Sequence, residues 1–162
     1  MPSSTALSGE PAKECPARPL SEGLVFHGPS KTLNDAHFLL FSGITGDVHR
    51  SHYDVEYAKD TRFGKPLAHG LLLASLTAMG ASELRDHIEG FVLVEQGCRY
   101  LHPAAVGDTV RPCFVIEKLW QEAHRKYCRV ATRLENQHGK VLLEGFHCYR
   151  IIVPGQKEHT ND

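Results

Sequence analysis

Four residues within six positions carry the chemistry this sequence offers most openly: Asp47, His49, Arg50 and His52, inside SGITGDVHRSHYDVEYA (Ser42 to Ala58). A carboxylate and an imidazole five positions apart on a turn can fold back to hold a water between them. One group then takes a proton from that water while the other donates a proton to carbon. The same residues have two other uses. Asp47, His49 and His52, with His69 farther on, offer oxygen and nitrogen ligands to a metal, although their spacing matches no HExxH or Cys/His zinc pattern. In the plainest use, Asp47 caps the following turn and His52 is a partly buried polar side chain.

A second feature bears on the choice. LAHG, Leu67 to Gly70, leads straight into an apolar run. The first amides of a helix lack internal partners, and the helix dipole adds partial positive charge there. A glycine at that start, Gly70, lets a ligand carbonyl come close to bare backbone. Amides aimed at a developing enolate oxygen form an oxyanion hole. An acid–base pair with an oxyanion hole is equipment for adding water beside a thioester, or removing it. Without a ligand, Gly70 is only a helix N-cap.

Several elements must position these groups. Leu24-Val25-Phe26 reads as a short strand. Thr32 or Asn34 caps NDAHFLLFSGI, where Ala36, Leu39, Leu40 and Gly43 fall at helical spacing and predict an amphipathic helix. Asp47 to Ala68 reads as a long ordered connection with one or two helical turns in DVEYAKDT; Tyr53, Tyr57 and Phe63 argue for its order. HGLLLASLTAMGASELRDHIEG is apolar on nearly every side up to Ala81, so the helix it predicts must be covered almost all round. Four strand-like runs follow, GFVLVEQGCRYL, DTVRPCFVIEKLW, RKYCRVATRLENQ and VLLEGFHCYRIIV, with a hairpin turn at Gln137 to Lys140. In the third, Cys128, Val130, Thr132 and Leu134 share a face. The expected fold is α+β, an antiparallel sheet wrapped around a long buried central helix.

Composition narrows the classes. With 162 residues the chain suggests one domain, and 41% hydrophobic residues supply a core. Lys+Arg 18 against Asp+Glu 19 leaves no basic stripe for nucleic acid. No apolar run approaches the roughly 18 residues of a membrane span. The five cysteines include no CxxC pair and, with no standard signal peptide in the sequence, predict reduced thiols and a cytoplasmic location. Residues 1–23 read as a mobile tail, 24–153 as the domain and 154–162 as a second tail.

The motifs resemble a known family. TGDVHRSHYDVEYA, Thr45 to Ala58, resembles the T-G-D-x-N-P-[LI]-H-x-D motif of the MaoC-like dehydratases and (R)-specific enoyl-CoA hydratases. RFGKPLAHGLLLASL, CRYLHPAAVGDTV and NQHGKVLLEG are similar to later blocks of that family, in the same order. The resemblance implies a single hot-dog domain, and a homodimer or dimer of dimers that binds acyl-CoA near the subunit interface. It implies reversible hydration of a trans-2-enoyl thioester to the (3R)-hydroxyacyl thioester, with no metal or redox cofactor. Asp47 and His52 fall on the catalytic pair and Gly70 on the oxyanion amide. His49, Arg50, His69 and Leu71 are expected to face substrate. The usual Asn-Pro is His49-Arg50 here. Arg50 facing an acyl carboxylate would select a dicarboxylic or branched enoyl-CoA; Arg50 pointing to solvent or to CoA phosphates would not. A hot-dog thioesterase and a non-catalytic acyl-CoA-binding module are the competing functions.

Overall fold

The computed structural model describes residues 20–152. Residues 1–19 and 153–162 of the expected tails and domain lie outside the described residues. Residues 20–23 are tied to the sheet: Gly23 N donates to Ile116 O at 2.8 Å and Leu119 N to Glu22 Oε1 at 2.8 Å.

The strands are β1 (Val25–His27), β2 (Lys31–Thr32), β3 (Phe91–Tyr100), β4 (Thr109–Glu122), β5 (Arg125–Asn136) and β6 (Val141–Ile151). They form one sheet in the order β1-β4-β5-β6-β3, with β2 also on β4, and every pairing is antiparallel. The four predicted strands are thus present. On β5, Cys128, Val130, Thr132 and Leu134 are all buried, as a two-residue period requires. The hairpin before β6 turns at Gly139, whose φ of 71° suits glycine, and Asn136 Oδ1 accepts from His138 N and Lys140 N.

Helix α1 (Asp35–Thr45) starts at Asn34, which accepts from His37 N while His37 Nδ1 accepts from Asn34 N: a capping box with histidine in the reciprocal role. Its buried face differs from the predicted one. Phe38 and Ser42 point inward, whereas Leu39 and Leu40 are 63% and 68% exposed. Sequence spacing locates an apolar stripe but not what covers it. Helix α2 (Val55–Lys59) is capped by Asp54, which accepts from Tyr57 N at 2.9 Å.

The central helix is shorter than predicted. Helix α3 spans Gly70–Ser75, and a 3₁₀ turn at Met79–Ala81 follows. Two hydroxyls take carbonyls there: Ser75 Oγ donates to Leu72 O and Thr77 Oγ1 to Ala74 O, each at 2.7 Å. Such local bonds compete with helix propagation, and the backbone tightens to three-residue spacing at Thr77 and Ala78. Nor is the helix covered all round, since Leu71 is 69% exposed. The α+β arrangement stands: Leu72 and Leu73 pack with Val110, Leu134, Leu142 and Leu143 on the inner face of the sheet. A second cluster, with Phe26, Met79, Phe114, Ile116 and Tyr149, fills the other end. No helix among the described residues is long and apolar enough to cross a membrane.

Candidate active site

The end of α1 sets Asp47. Gly46 takes a left-handed conformation (φ 75°) and its N–H closes the helix on Ser42 O at 2.7 Å. Thr45 Oγ1 donates to Phe41 O and accepts from Asp47 N, at 2.8 and 3.2 Å. Ser42 Oγ donates to Asp47 O at 2.7 Å. The peptide on either side of Asp47 is therefore held by hydroxyls of the preceding helix, while its carboxylate stays exposed. Its Oδ1 accepts from His49 N at 3.3 Å.

A 3₁₀ turn at Arg50–His52 brings His52 back. His52 Nδ1 lies 2.7 Å from Leu67 O, and only the protonated nitrogen can make that bond. The neutral ring therefore keeps Nε2 unprotonated, the tautomer that can accept a proton from water. Leu67 is fixed in turn by its N–H to Ser51 O, and Ala68 N donates to Ala104 O. The loop is thus anchored to the turn between β3 and β4.

His69 completes the group from beneath. It is 1% exposed and its ring stacks on that of His52 with centroids 3.7 Å apart and planes at 23°. Its Nε2 lies 3.2 Å from Asp47 O, 3.0 Å from Tyr53 Oη and 3.3 Å from Ser42 Oγ. Burial, the largest cause, holds its pKa below the ordinary imidazole value. Donor atoms of Asp47, His52 and His69 all lie within 4.8 Å of one another. Stacking nevertheless confines the in-plane lone pairs of the two rings to two nearly parallel planes, which do not meet at a single ion between them. The two rings are thus ill placed to share an ion, while a carboxylate and a ring nitrogen close together have the groups that proton transfer needs.

The other expected residues sit around this cluster rather than in it. Gly70 is the first residue of α3, and a Cβ there would approach the Tyr100 ring at 3.4 Å, so glycine keeps the backbone close to an aromatic wall. Leu71 lies beside it on the exposed side. His49 Nδ1 accepts from Ser51 N at 3.3 Å, and its ring meets His52 edge-on at 6.3 Å. Arg50 turns away: Nε and Nη2 both bond Asp54 Oδ2, at 2.9 and 2.6 Å, and the guanidinium lies 4.8 Å over Tyr57. Ser42 and Tyr53 join the site without having been singled out for it. Their only signal in the sequence was position: one at the end of the helix that presents Asp47, the other beside His52. A separate cleft of about 500 Å³ opens on the outer face of the sheet, lined by Cys113, Arg133, Glu144 and Phe146, and contains none of these groups.

Comparison with known proteins bears on the family and the fold. Residues 18–138 match the MaoC like domain. A curated relative from Rhodospirillum rubrum, named (R)-specific enoyl-CoA hydratase, is 31% identical over 121 residues, covering 72% of this chain and 78% of that protein. The solved (R)-hydratase of A. caviae superposes with a TM-score of 0.68 at 23% identity, covering 87% of this chain and all (100%) of that one. A Mycobacterium tuberculosis protein described as a double hot-dog fold superposes with a TM-score of 0.70 at 22% identity, over 86% of this chain and 44% of that one. At those identities the two structures speak for the fold. The chain belongs to the MaoC-like dehydratase family, hydro-lyases built on the hot-dog fold.

Proposed function

We propose that this protein reversibly hydrates trans-2-enoyl-CoA to (3R)-3-hydroxyacyl-CoA, with Asp47 and His52 as the proton-transfer pair and the Gly70 amide as oxyanion donor. The observation that carries it is the convergence of the exposed Asp47 carboxylate with a His52 ring whose Nδ1 is committed to Leu67 O. A water held between them loses a proton to the pair as its oxygen bonds C3. The double-bond electrons pass toward the thioester oxygen, and the pair returns a proton to C2, so no proton is gained or lost. With only six residues, α3 contributes little dipole, so the Gly70 role rests on an amide with no intrahelical partner. The chemistry assigned needs no metal or redox cofactor. The thiols described, Cys98, Cys113, Cys128 and Cys148, are free, which suits a cytoplasmic protein.

The partner we infer is a second copy. Strand β3 is one edge of the sheet, and Val92, Leu93 and Val94 on it are exposed, as are Leu39, Leu40 and Ile44 on α1. An exposed apolar edge strand invites pairing. Its burial in a homodimer would wall the open side of the Asp47–His52 cluster.

The test is loss of enoyl absorbance on an unbranched enoyl-CoA. Asp47→Asn and His52→Gln should each lower kcat by roughly 10²–10⁴-fold, the usual contribution of an acid–base group. Full activity in both variants removes the pair from the mechanism. Thiol release without hydration would instead select the thioesterase, and binding without turnover the acyl-CoA-binding module.

A further inference from the structure

Building on the proposed acid–base pair, we infer that His69 is a positioning residue that aligns both of its members: Nε2 holds the main chain of Asp47 and the ring face holds the ring of His52.

The geometry gives one side chain two mechanically distinct contacts. Ser42 Oγ already donates to Asp47 O, and Tyr53 Oη has the Phe38 and Asp47 carbonyls to donate to. Because Nδ1 has no partner among the described residues, a proton there would be a buried, unpaired donor; the tautomer that avoids this carries the proton on Nε2, which donates to Asp47 O at 3.2 Å. The ring is then clamped by neighbours. Phe38 meets it edge-on at 5.9 Å and Phe41 lies tilted at 48° with centroids 5.0 Å apart, both from α1, while His52 covers a face at 3.7 Å. His52 is pinned at its edge by Leu67 O and at its face by His69. Remove the ring and His52 keeps one hydrogen bond about which it can swing.

A second observation separates this from ordinary packing. His69 Nδ1 is buried with no hydrogen-bond partner among the described residues, and as N-cap of α3 the side chain makes no capping bond. A buried polar atom left unpaired is costly. A phenyl ring would fill the same space without that penalty. Histidine here makes sense if the other nitrogen and the flat face are both in use, and both uses lead to the pair.

The two contacts can be separated by substitution. His69→Phe keeps a ring behind His52 and loses the donor. His69→Gln keeps an N–H donor of similar reach and loses the ring. His69→Ala loses both. We expect kcat for hydration of but-2-enoyl-CoA to fall roughly 10²-fold in the alanine variant, the scale of a small misplacement of reacting groups. KM should change by less than about twofold, because the His69 ring is buried beneath the pair, 1% exposed. The phenylalanine and glutamine variants should each recover part of the loss, to about tenfold below wild type. Proton NMR gives a readout independent of turnover. The His52 ring protons should be displaced by ring current in wild type and in the phenylalanine variant, and not in the glutamine or alanine variants.

Outcomes divide cleanly. Wild-type kcat in the phenylalanine and glutamine variants, with only a lowered Tm, overturns the inference, and so does a loss confined to KM. Should the alanine variant fail to fold, those two variants decide. An inactive wild type, or an Asp47→Asn variant at full rate, overturns the acid–base reading as well, so the two failures are told apart.

Discussion

Two histidines lie buried at opposite ends of the central helix, and they are buried for different reasons. His69 precedes α3 and is 1% exposed; His147, on β6, reaches the far end and is 5% exposed. Burial pushes both below the ordinary imidazole value. Around His147 every polar atom is matched. Tyr149 Oη donates to Nδ1 at 3.0 Å, Nε2–H donates to Thr77 Oγ1 at 3.2 Å, and Thr77 donates to Ala74 O at 2.7 Å. The relay runs in one direction and ends on a carbonyl of α3, tying the helix to β6. Around His69 one nitrogen is left over and one face abuts the ring of a partly exposed histidine. A fully matched buried network is explained by folding alone. A mismatched one needs a use, and here the use lies at the site.

The largest effect that tests this contrast is on stability. Thr77→Val keeps the shape but removes the acceptor for His147 Nε2–H. An orphaned buried donor costs about 1–3 kcal/mol, so the denaturant midpoint should fall by that equivalent while kcat holds within about twofold. A tenfold drop in kcat with stability intact would make the far end part of the site, and the contrast would collapse.

A smaller effect follows from pH. The unfolded chain binds protons at its imidazoles near the ordinary value of 6.5, whereas folded His147 and His69 bind theirs only at lower pH. In that window the unfolded state carries more protons, so stability rises with pH. It is therefore fully present above about 6.5 and is lost progressively as the solution is acidified toward the lowered folded values. His147→Gln, which cannot titrate, should flatten part of this slope in urea melts between about pH 7 and about pH 5. An unchanged slope would mean that His147 does not contribute to it.

The same contrast explains what the sequence could and could not reveal. Strand alternation and the turn at Gly139 are local, so they were legible residue by residue, and the cap was narrowed to Thr32 or Asn34, of which Asn34 is the one. Asp47 and His52 were legible because five residues of one loop bring them together. The contacts of His69 were not, because Ser42, Tyr53 and Asp47 O meet its ring only after α1 docks on the sheet. The end of α3 was also hidden. Its run of Leu and Ala continues the helical pattern, and only the folded chain shows Ser75 and Thr77 hydroxyls taking the carbonyls. Leu39 and Leu40 lie on the apolar stripe that the spacing marks, and periodicity cannot tell a core from a surface left open on a single chain.

The smallest effect concerns the two residues that stand where the family motif has Asn-Pro. Proline would restrain this turn through a fixed φ. Here side chains hold it instead: His49 accepts from Ser51 N, and Arg50 grips Asp54 Oδ2 with two nitrogens while lying over Tyr57. Asp54 caps α2 as well, and its carboxyl is held below the usual range by the Tyr57 amide first and by Arg50 next. The ion pair is largely open to solvent, with Arg50 66% and Asp54 33% exposed, so it is a weak and salt-sensitive brace. Arg50→Ala should therefore lower kcat on a neutral enoyl-CoA by no more than about fivefold, the scale of an exposed ion pair. The salt dependence of wild-type turnover should shrink in the variant. If the variant instead loses selectively on a dicarboxylic enoyl-CoA and keeps full rate on the neutral one, Arg50 leaves Asp54 to meet the substrate carboxylate. The brace would then be a resting arrangement of a specificity residue, and the preference for dicarboxylic substrates would be the stronger account of why arginine replaces proline here.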